Sequence, residues 1–356
     1  MKLPLLVPLD CNSIGHFVKD FDIVERNVKF LNEYSNYAYS LKYVPSSRVS
    51  NSYFLKLIAS HRHVLPHFPN YLIHRLLRRF NSKHRELIEQ ICDKNIEYLT
   101  HWHEQPPLLS PPDIDIEYIR KTIASKINLE NPLIILVVRD SGYDLTYQTS
   151  KDPSMASRQA YRNTPIIEFR SSIDLLLSRG YSIIRMGRHS NTELNYKSPN
   201  YYDYSRDTQT HSDLADVVIP YLAEFTISTG SGVDEFANFY RKPVYRVNVS
   251  PPGTLPKSSI SKHSLISDYF YEASKKRVSL EQILYSDLNT MNPALLPGKR
   301  GIVVKPKGES EILPFVSTII NYEEVILRNR LEENLVRGVP INSQNRNLTC
   351  IGSYYY

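Results

Sequence analysis

Six consecutive aliphatic residues, Leu133-Ile-Ile-Leu-Val-Val138, restrict this chain more than any other feature. A strand with one wet face alternates apolar and polar residues. A strand covered on both faces does not, and such strands belong to parallel sheets flanked by helices. The run ends in Arg139-Asp140-Ser141-Gly142. Thr164-Pro165 then opens a predicted helix over Ile166–Arg179, with proline in its first turn, and Gly180 ends it. Tyr181–Arg185 reads as the next strand, and Leu214–Ile219 as another after a long Tyr-rich loop. Phe225–Ser228 is a strand that runs into Thr229-Gly-Ser-Gly232. Val233–Arg241 follows as a helix and Pro243–Val249 as a strand. This alternation predicts an α/β, Rossmann-like sheet.

The first part of the chain carries weaker signals. Leu3–Leu9 reads as a strand, and Phe17–Tyr34 as a helix with Phe17, Phe21, Val24 and Val28 on one face. Phe54–Ala59 reads as a second strand, and Tyr71–Phe80 and Ser82–Leu99 as helices. The segment Gln105–Pro112 holds four prolines in eight residues and is a linker. Asp113 is expected to cap the helix that follows, to about Lys126. Phe270–Lys276 and Leu280–Tyr285 read as short helices, and Leu313–Arg330 as a longer one with Pro314 in its first turn. With 356 residues, 41% of them hydrophobic, two α/β domains are expected, over 1–128 and 129–330, with a tail over 331–356.

Charge and cysteine content narrow the functional classes. There are 43 Lys and Arg against 37 Asp and Glu, a formal +6 spread evenly along the chain. That balance suits an anionic ligand in one cleft and lacks the concentrated stripe of a nucleic-acid binder. Cys11, Cys92 and Cys350 form no CxxC pair, so neither a zinc site nor a disulfide framework is expected, and the cytoplasm is the expected compartment. No run approaches the roughly 20 apolar residues that span a bilayer. The 26 tyrosines beside one tryptophan suit sugar recognition and equally fit a compositional bias.

Four constellations fall at strand ends. Thr229, Gly230, Ser231 and Gly232 deliver a small-residue loop to a helix start, where unpaired N–H groups suit a phosphate. The third glycine of a dinucleotide fingerprint is missing, since Glu235 holds its place, and a P-loop lysine is also absent. Asp234 or Glu235 is suited to ribose or sugar hydroxyls, or else to the dipole of the first helical turn. Arg185, Gly187 and Arg188 place two guanidinium groups at a strand end, matched to a diphosphate or else merely surface-exposed. Arg139 and Asp140 lead into a loop with Tyr161, Arg162 and Asn163; Asp140 is a candidate base or an ion-pair partner. Gly15 and His16 follow the first strand, with His16 a candidate base or a packed histidine. The Asp-x-Asp pairs at Asp20/Asp22 and Asp113/Asp115 are weak metal signals, and no metal is expected. Around Arg75-Leu-Leu-Arg-Arg79, near Tyr71, Leu72 and Phe80, the pattern fits a basic amphipathic face at a bilayer, or a packed helix with exposed arginines.

In order along the chain, Ile14-Gly-His16, Val138-Arg-Asp140, Tyr161-Arg-Asn163, Ile184-Arg-Met-Gly187 and Thr229-Gly-Ser-Gly232 with Ala237 and Lys242-Pro243 resemble a family of bacterial glycosyltransferases of surface-polysaccharide gene clusters. The Val-Arg-Asp strand end is distantly similar to the Arg-rich motif of fucosyltransferases. The resemblance spans about residues 10–285 and is densest over 133–250. It implies a GT-B-like architecture, two Rossmann-like domains facing across a cleft, with a nucleotide-sugar co-substrate on the C-terminal domain. It implies a glycan or lipid-linked acceptor on the other domain and no cofactor or metal. The function expected is glycosyl transfer from a nucleotide-diphosphate sugar to a hydroxyl group, in the cytoplasm or at the inner membrane face. Arg139, Arg185, Gly187, Arg188, Thr229, Gly230, Ser231, Gly232 and Glu235 would hold the donor, with His16 or Asp140 as base and Gly15, Tyr161, Arg162 and Asn163 on the acceptor side. A nucleotide-sugar epimerase of the same fold and a non-catalytic glycan-binding protein are the alternatives.

Overall fold

The computed structural model describes residues 2–34, 38–93, 105–142, 160–188, 190–255 and 263–336. Its strands are β1 (Lys2–Leu9), β2 (Ala38–Pro45), β3 (His63–Val64), β4 (Leu133–Val137), β5 (Ser182–Met186), β6 (Tyr201–Tyr202), β7 (Phe225–Ser228), β8 (Val244–Val249), β9 (Ser264–Ile266), β10 (Asp268–Tyr271) and β11 (Ile302–Lys305). The helices of the first half are α1 (Ile14–Tyr34), α2 (Ser52–Ala59), α3 (His67–Phe80), α4 (Ser82–Ile91) and α5 (Asp113–Ala124). Those of the second are α6 (Arg170–Ser178), α7 (Asp213–Leu222), α8 (Glu235–Phe239), α9 (Leu280–Leu284), α10 (Leu296–Arg300) and α11 (Glu309–Val336).

Strands β1-β2-β3 form one parallel sheet, and β6-β5-β4-β7-β8-β9 a second, also parallel throughout. The order reverses at β4: the chain builds outward through β5 and β6, then returns to β7 on the other side of β4. Ligands of open α/β sheets bind at that switch, beyond the carboxyl ends of the strands. The aliphatic run of β4 now has its cause. Leu133, Ile135 and Val137 belong to a core shared with α7, α8 and the first sheet. Ile134 and Leu136 face the opposite core, with Ile173 and Leu176 of α6 and Ile312, Val316 and Ile319 of α11.

The first of these cores does not divide at residue 128. Phe17 and Phe21 of α1 meet Phe54 of α2, and Phe54 meets Phe236 and Phe239 of α8, with ring centroids 5.1–6.0 Å apart. At the top of this seam the backbones touch. A methyl group added at Gly232 would sit 2.7 Å from the Gly15 nitrogen, and one added at Gly15 would sit 2.9 Å from the Gly232 Cα. The starts of α1 and of the short 3-10 turn Gly232–Asp234 that leads into α8 are thereby brought side by side.

Several local expectations are corrected. Phe54–Ala59 is helix, not strand, because Asn51 accepts from the Phe54 N–H at 2.7 Å and Phe54, Leu57 and Ile58 fall on one helical face. Leu214–Ile219 lies in α7, capped by Ser212 on the Ala215 N–H. Phe270 belongs to β10, paired antiparallel with β11, and only a turn follows. Strand β2 was not anticipated. Asp113 is not the cap of α5; Pro112 holds that position and Asp113 lies in the first turn. The α11 helix starts at Glu309, which puts Pro314 inside it. Cys350 and residues 337–356 of the expected tail lie outside the described residues, as does most of the loop between Gly142 and Tyr161. No helix among the described residues is long and apolar enough to cross a membrane.

The Gly15–Gly232 contact yields a direct prediction. Gly232→Ala should lower the free energy of unfolding by about 2 kcal/mol in a denaturant titration, since its Cβ meets backbone that cannot step aside. Gly298→Ala, with nothing within 4 Å of the added Cβ, should be neutral or slightly stabilising. Equal behaviour of the two variants would mean that the helix starts part without cost.

Candidate functional site

A pocket of about 680 Å³ opens over the carboxyl ends of β4, β5 and β7 and against the first turns of α1. Its lining gathers residues far apart in sequence: Gly15, His16 and Lys19; Arg48; Arg139 and Asp140; Arg162; Gly187 and Arg188; Gly230–Glu235; and Arg246. Six cationic side chains there face four carboxylates, so the pocket favours an anion.

Its floor is an extension of the sheet. The Thr229 N–H donates to the Val137 carbonyl at 2.9 Å, and the Arg139 N–H donates to Thr229 Oγ1 at 2.8 Å. Thr229 itself is buried and works as a tie between the two loops. Gly230 turns the chain with a φ of +87°, which a side chain would oppose. Its carbonyl accepts from Arg162 Nη2 at 2.7 Å. Asp234 then closes the loop: its carboxylate accepts from Ser228 Oγ, from the Ser231 N–H and from Arg246 Nη1 at 2.7, 3.3 and 2.8 Å. Glu235 pairs with Arg246 Nη2 at 3.4 Å and accepts from Asn238 Nδ2.

The first turn of α1 supplies the opposite wall. Ser13 accepts the Phe17 N–H, so the amides of Ile14, Gly15 and His16 precede the first intrahelical bond. His16 has 63% of its side chain exposed, with Nδ1 4.0 Å from the Asp20 carboxylate.

Arg188 enters from β5. Gly187, at φ +133°, redirects the chain so that Arg188 Nη2 lies 3.0 Å from Asp213 and 2.6 Å from Asp216. Burial pushes the Asp216 carboxyl above the ordinary range, against the pull of Arg188 and a hydrogen bond from Tyr204 Oη. Burial likewise pushes Asp234 up, opposed by Arg246. These carboxylates hold arginines in place at the pocket wall.

Two expected site residues are placed differently. Arg185 is fully buried and does not line the pocket. Its guanidinium donates to the Thr192 carbonyl, Asp203 and Ser190 Oγ at 2.8, 3.0 and 2.7 Å, which fastens the segment after β5. Asp140 is spent on the same segment. It accepts from Ser190 Oγ, the Asn191 and Thr192 N–H groups, Thr192 Oγ1 and the Gly142 N–H. Such an acceptor is poorly placed to take a proton from a substrate. Tyr161 and Asn163 stand beside the pocket rather than in its lining; burial raises the Tyr161 phenol, and Asn163 Oδ1 is buried with no hydrogen-bond partner. Asp22 is buried between Arg26 and Arg241, and Asp115 accepts from Tyr53 Oη. Among the described residues no group of three or more His, Cys, Asp or Glu is placed to hold a metal ion.

Lys19, Arg48 and Arg246 were not anticipated. Lys19 had a usable signal, one turn after His16 on the same helix. Arg48 and Arg246 had none, since only the fold brings them here. The tyrosines go elsewhere: Tyr43, Tyr204, Tyr245 and Tyr269 are buried, and none of the described tyrosines lines the pocket.

No family model matches the chain, and no curated protein does. Solved structures do. ADP-heptose lipopolysaccharide heptosyltransferase II of E. coli is 14% identical over 75% of this chain and 90% of its own, with a TM-score of 0.43. A family 9 glycosyl transferase of Veillonella parvula is 10% identical over 90% and 99%, with a TM-score of 0.46. The iron-containing dodecameric glycosyltransferase TibC of enterotoxigenic E. coli is 14% identical over 92% and 78%, with a TM-score of 0.43.

The Asp140 cluster is sensitive to acid. Burial alone would raise this carboxyl, but the hydrogen bonds from Ser190, Gly142 and Thr192 together hold it below the ordinary carboxylate value. A depressed folded-state value adds stability above the unfolded value and loses it as pH falls through the folded one. Asp140→Asn should therefore cost about 2 kcal/mol at neutral pH. It should also flatten the loss of stability below about pH 4, read from urea titrations across pH.

Proposed function

We propose that the chain is a glycosyltransferase that moves a sugar from a nucleotide-diphosphate donor to a hydroxyl group of a glycan or lipid-linked glycan. The observation that carries this reading is the pocket at the β4 switch point, where the first turn of α1, the Gly230–Gly232 loop, Arg139, Arg162 and Arg188 converge. The motif resemblance from Ile14 to Pro243 supports it and supplies the sugar.

In this reading the diphosphate lies over the touching starts of α1 and the glycine loop, where helix-start N–H groups and guanidinium groups match its charge. The acceptor hydroxyl oxygen attacks the anomeric carbon. The bond from that carbon to the diphosphate oxygen breaks, and the electron pair leaves with the diphosphate. The arginines take up the developing charge. The proton passes to His16, which the pocket leaves accessible and which Asp20 faces at 4.0 Å. Asp140, Asp216 and Asp234 already serve hydroxyl, amide or arginine partners, so the arginines are assigned the role of stabilising the leaving group. The expected division at residues 128 and 129 would place His16 and Lys19 on the acceptor side and the glycine loop on the donor side.

Thermal shift against UDP, GDP, CMP, dTDP and ADP sugars tests the reading, with and without EDTA. ADP-heptose is named for two of the structural neighbours. A donor at about 100 times its Kd should add about 2.7 kcal/mol of stability. Arg162→Gln and Arg188→Gln should each weaken that donor by about tenfold or more. His16→Ala should keep donor binding and lower kcat by about a hundredfold or more. Donor binding with no transfer to any acceptor would leave a binding protein, and no nucleotide response at all would remove the reading.

A further inference from the structure

We propose that α3 docks this protein on an anionic membrane surface. The inference does not depend on the reading of the pocket. Six of the sixteen large apolar side chains that the described residues expose lie between Phe68 and Phe80. Soluble surfaces rarely concentrate apolar groups in this way unless they meet a partner.

The helical positions explain the arrangement. His74 is buried and Leu77 half-buried, and they fix the inward face of α3. At 100° per residue, Leu72 and Leu76 fall on the outward side, and Phe80 and Ile73 on the flank between them and Leu77. They are 49%, 48%, 75% and 42% exposed. Arg75, Arg78 and Arg79 form the adjoining stripe, and α3 carries no acidic residue. These arginines, with Tyr71 and Arg85 of α4, line a concavity of about 640 Å³. Arg78 also lies 3.9 Å from Glu89, both of them more than half exposed.

An apolar stripe beside a basic one is the signature of a helix that lies in the interface of a bilayer. The apolar side chains enter the acyl boundary while the arginines meet lipid phosphates. The concavity gives a headgroup phosphate a place between guanidinium groups. A second copy fits less well. A twofold contact through α3 would bring the arginines of both copies together with no carboxylate of that helix to meet them.

Flotation of the full chain with vesicles tests this. Vesicles of equal parts phosphatidylcholine and phosphatidylglycerol should carry the protein, and pure phosphatidylcholine vesicles should not. High salt should release it. The double variants Leu76→Gln/Phe80→Gln and Arg75→Gln/Arg79→Gln should each lower the bound fraction at limiting lipid by about tenfold. Their thermal melts should match the parent, because these side chains are exposed. Absence of flotation overturns the proposal, as does flotation that neither variant weakens. Sedimentation showing a dimer that Leu76→Gln/Phe80→Gln dissociates, without vesicle binding, would make the stripe a self-association face instead.

Discussion

The close approach of Gly15 to Gly232 is the constraint on which the site depends. Two helix starts reach the pocket only because neither residue carries a side chain at the contact. What holds them there lies below. The aromatic seam of Phe17, Phe21, Phe54, Phe236 and Phe239 presses α1 and α2 against α8. At its far end Asp22 accepts from Arg26 Nε and Arg241 Nη2, both at 3.0 Å and all three buried. Asp22 stands seven residues, about two turns, after Gly15. The α1–α8 seam is thus fixed at one end by backbone contact and at the other by a charge network. Breaking a buried network of this kind costs about 3–5 kcal/mol, because it strands charge away from water.

The same logic organises the pocket walls. An arginine in water samples many rotamers, and a ligand must immobilise it. Here Asp216 and Asp213 hold Arg188, and Asp234 and Glu235 hold Arg246. The carboxylates reduce the local positive charge, but they also remove the entropy loss that binding would otherwise incur. Six cations against four carboxylates still leave an excess that an anionic ligand can neutralise. Arg185 and Asp140 contribute differently. They fasten residues 190–192 to the ends of β4 and β5, which places Ser190 in the pocket lining.

How much of this could be read beforehand depended on where each residue's partners lie. The β4 strand was legible because burial on both faces leaves six aliphatics in a row. The Thr229–Gly232 loop was legible because a strand end, small residues and a helix start are adjacent in sequence. Arg185 was misread because its partners, Thr192 and Asp203, fold back over it from a loop with no pattern of its own. Arg246 was missed because an arginine in mid-strand gives no sign that Asp234 will meet it. Helix α2 was misread because eight residues hold too few turns to separate a helical period from a short apolar run. The tyrosines suggested sugar contacts, but none of the described ones lines the pocket and eight of them fill core space, with hydroxyls such as those of Tyr43 and Tyr204 bound to Glu25 and Asp216.

The continuous core also bears on how a ligand enters. A cleft that opens by hinge motion needs an interface that separates cheaply, polar and loosely packed. The seam here is the opposite. Separating α1 and α2 from α8 would expose Phe54, Phe236 and Phe239, each about 1.5–3 kcal/mol to return to water, and would break the Asp22–Arg241 pair as well. That sum is comparable to the whole stability of a typical domain. Entry by parting the two halves is therefore unfavourable, and a ligand reaches the helix starts through the mouth of the pocket. His16, exposed on α1, and Arg162, bound to the Gly230 carbonyl, then meet the ligand in positions set before it arrives.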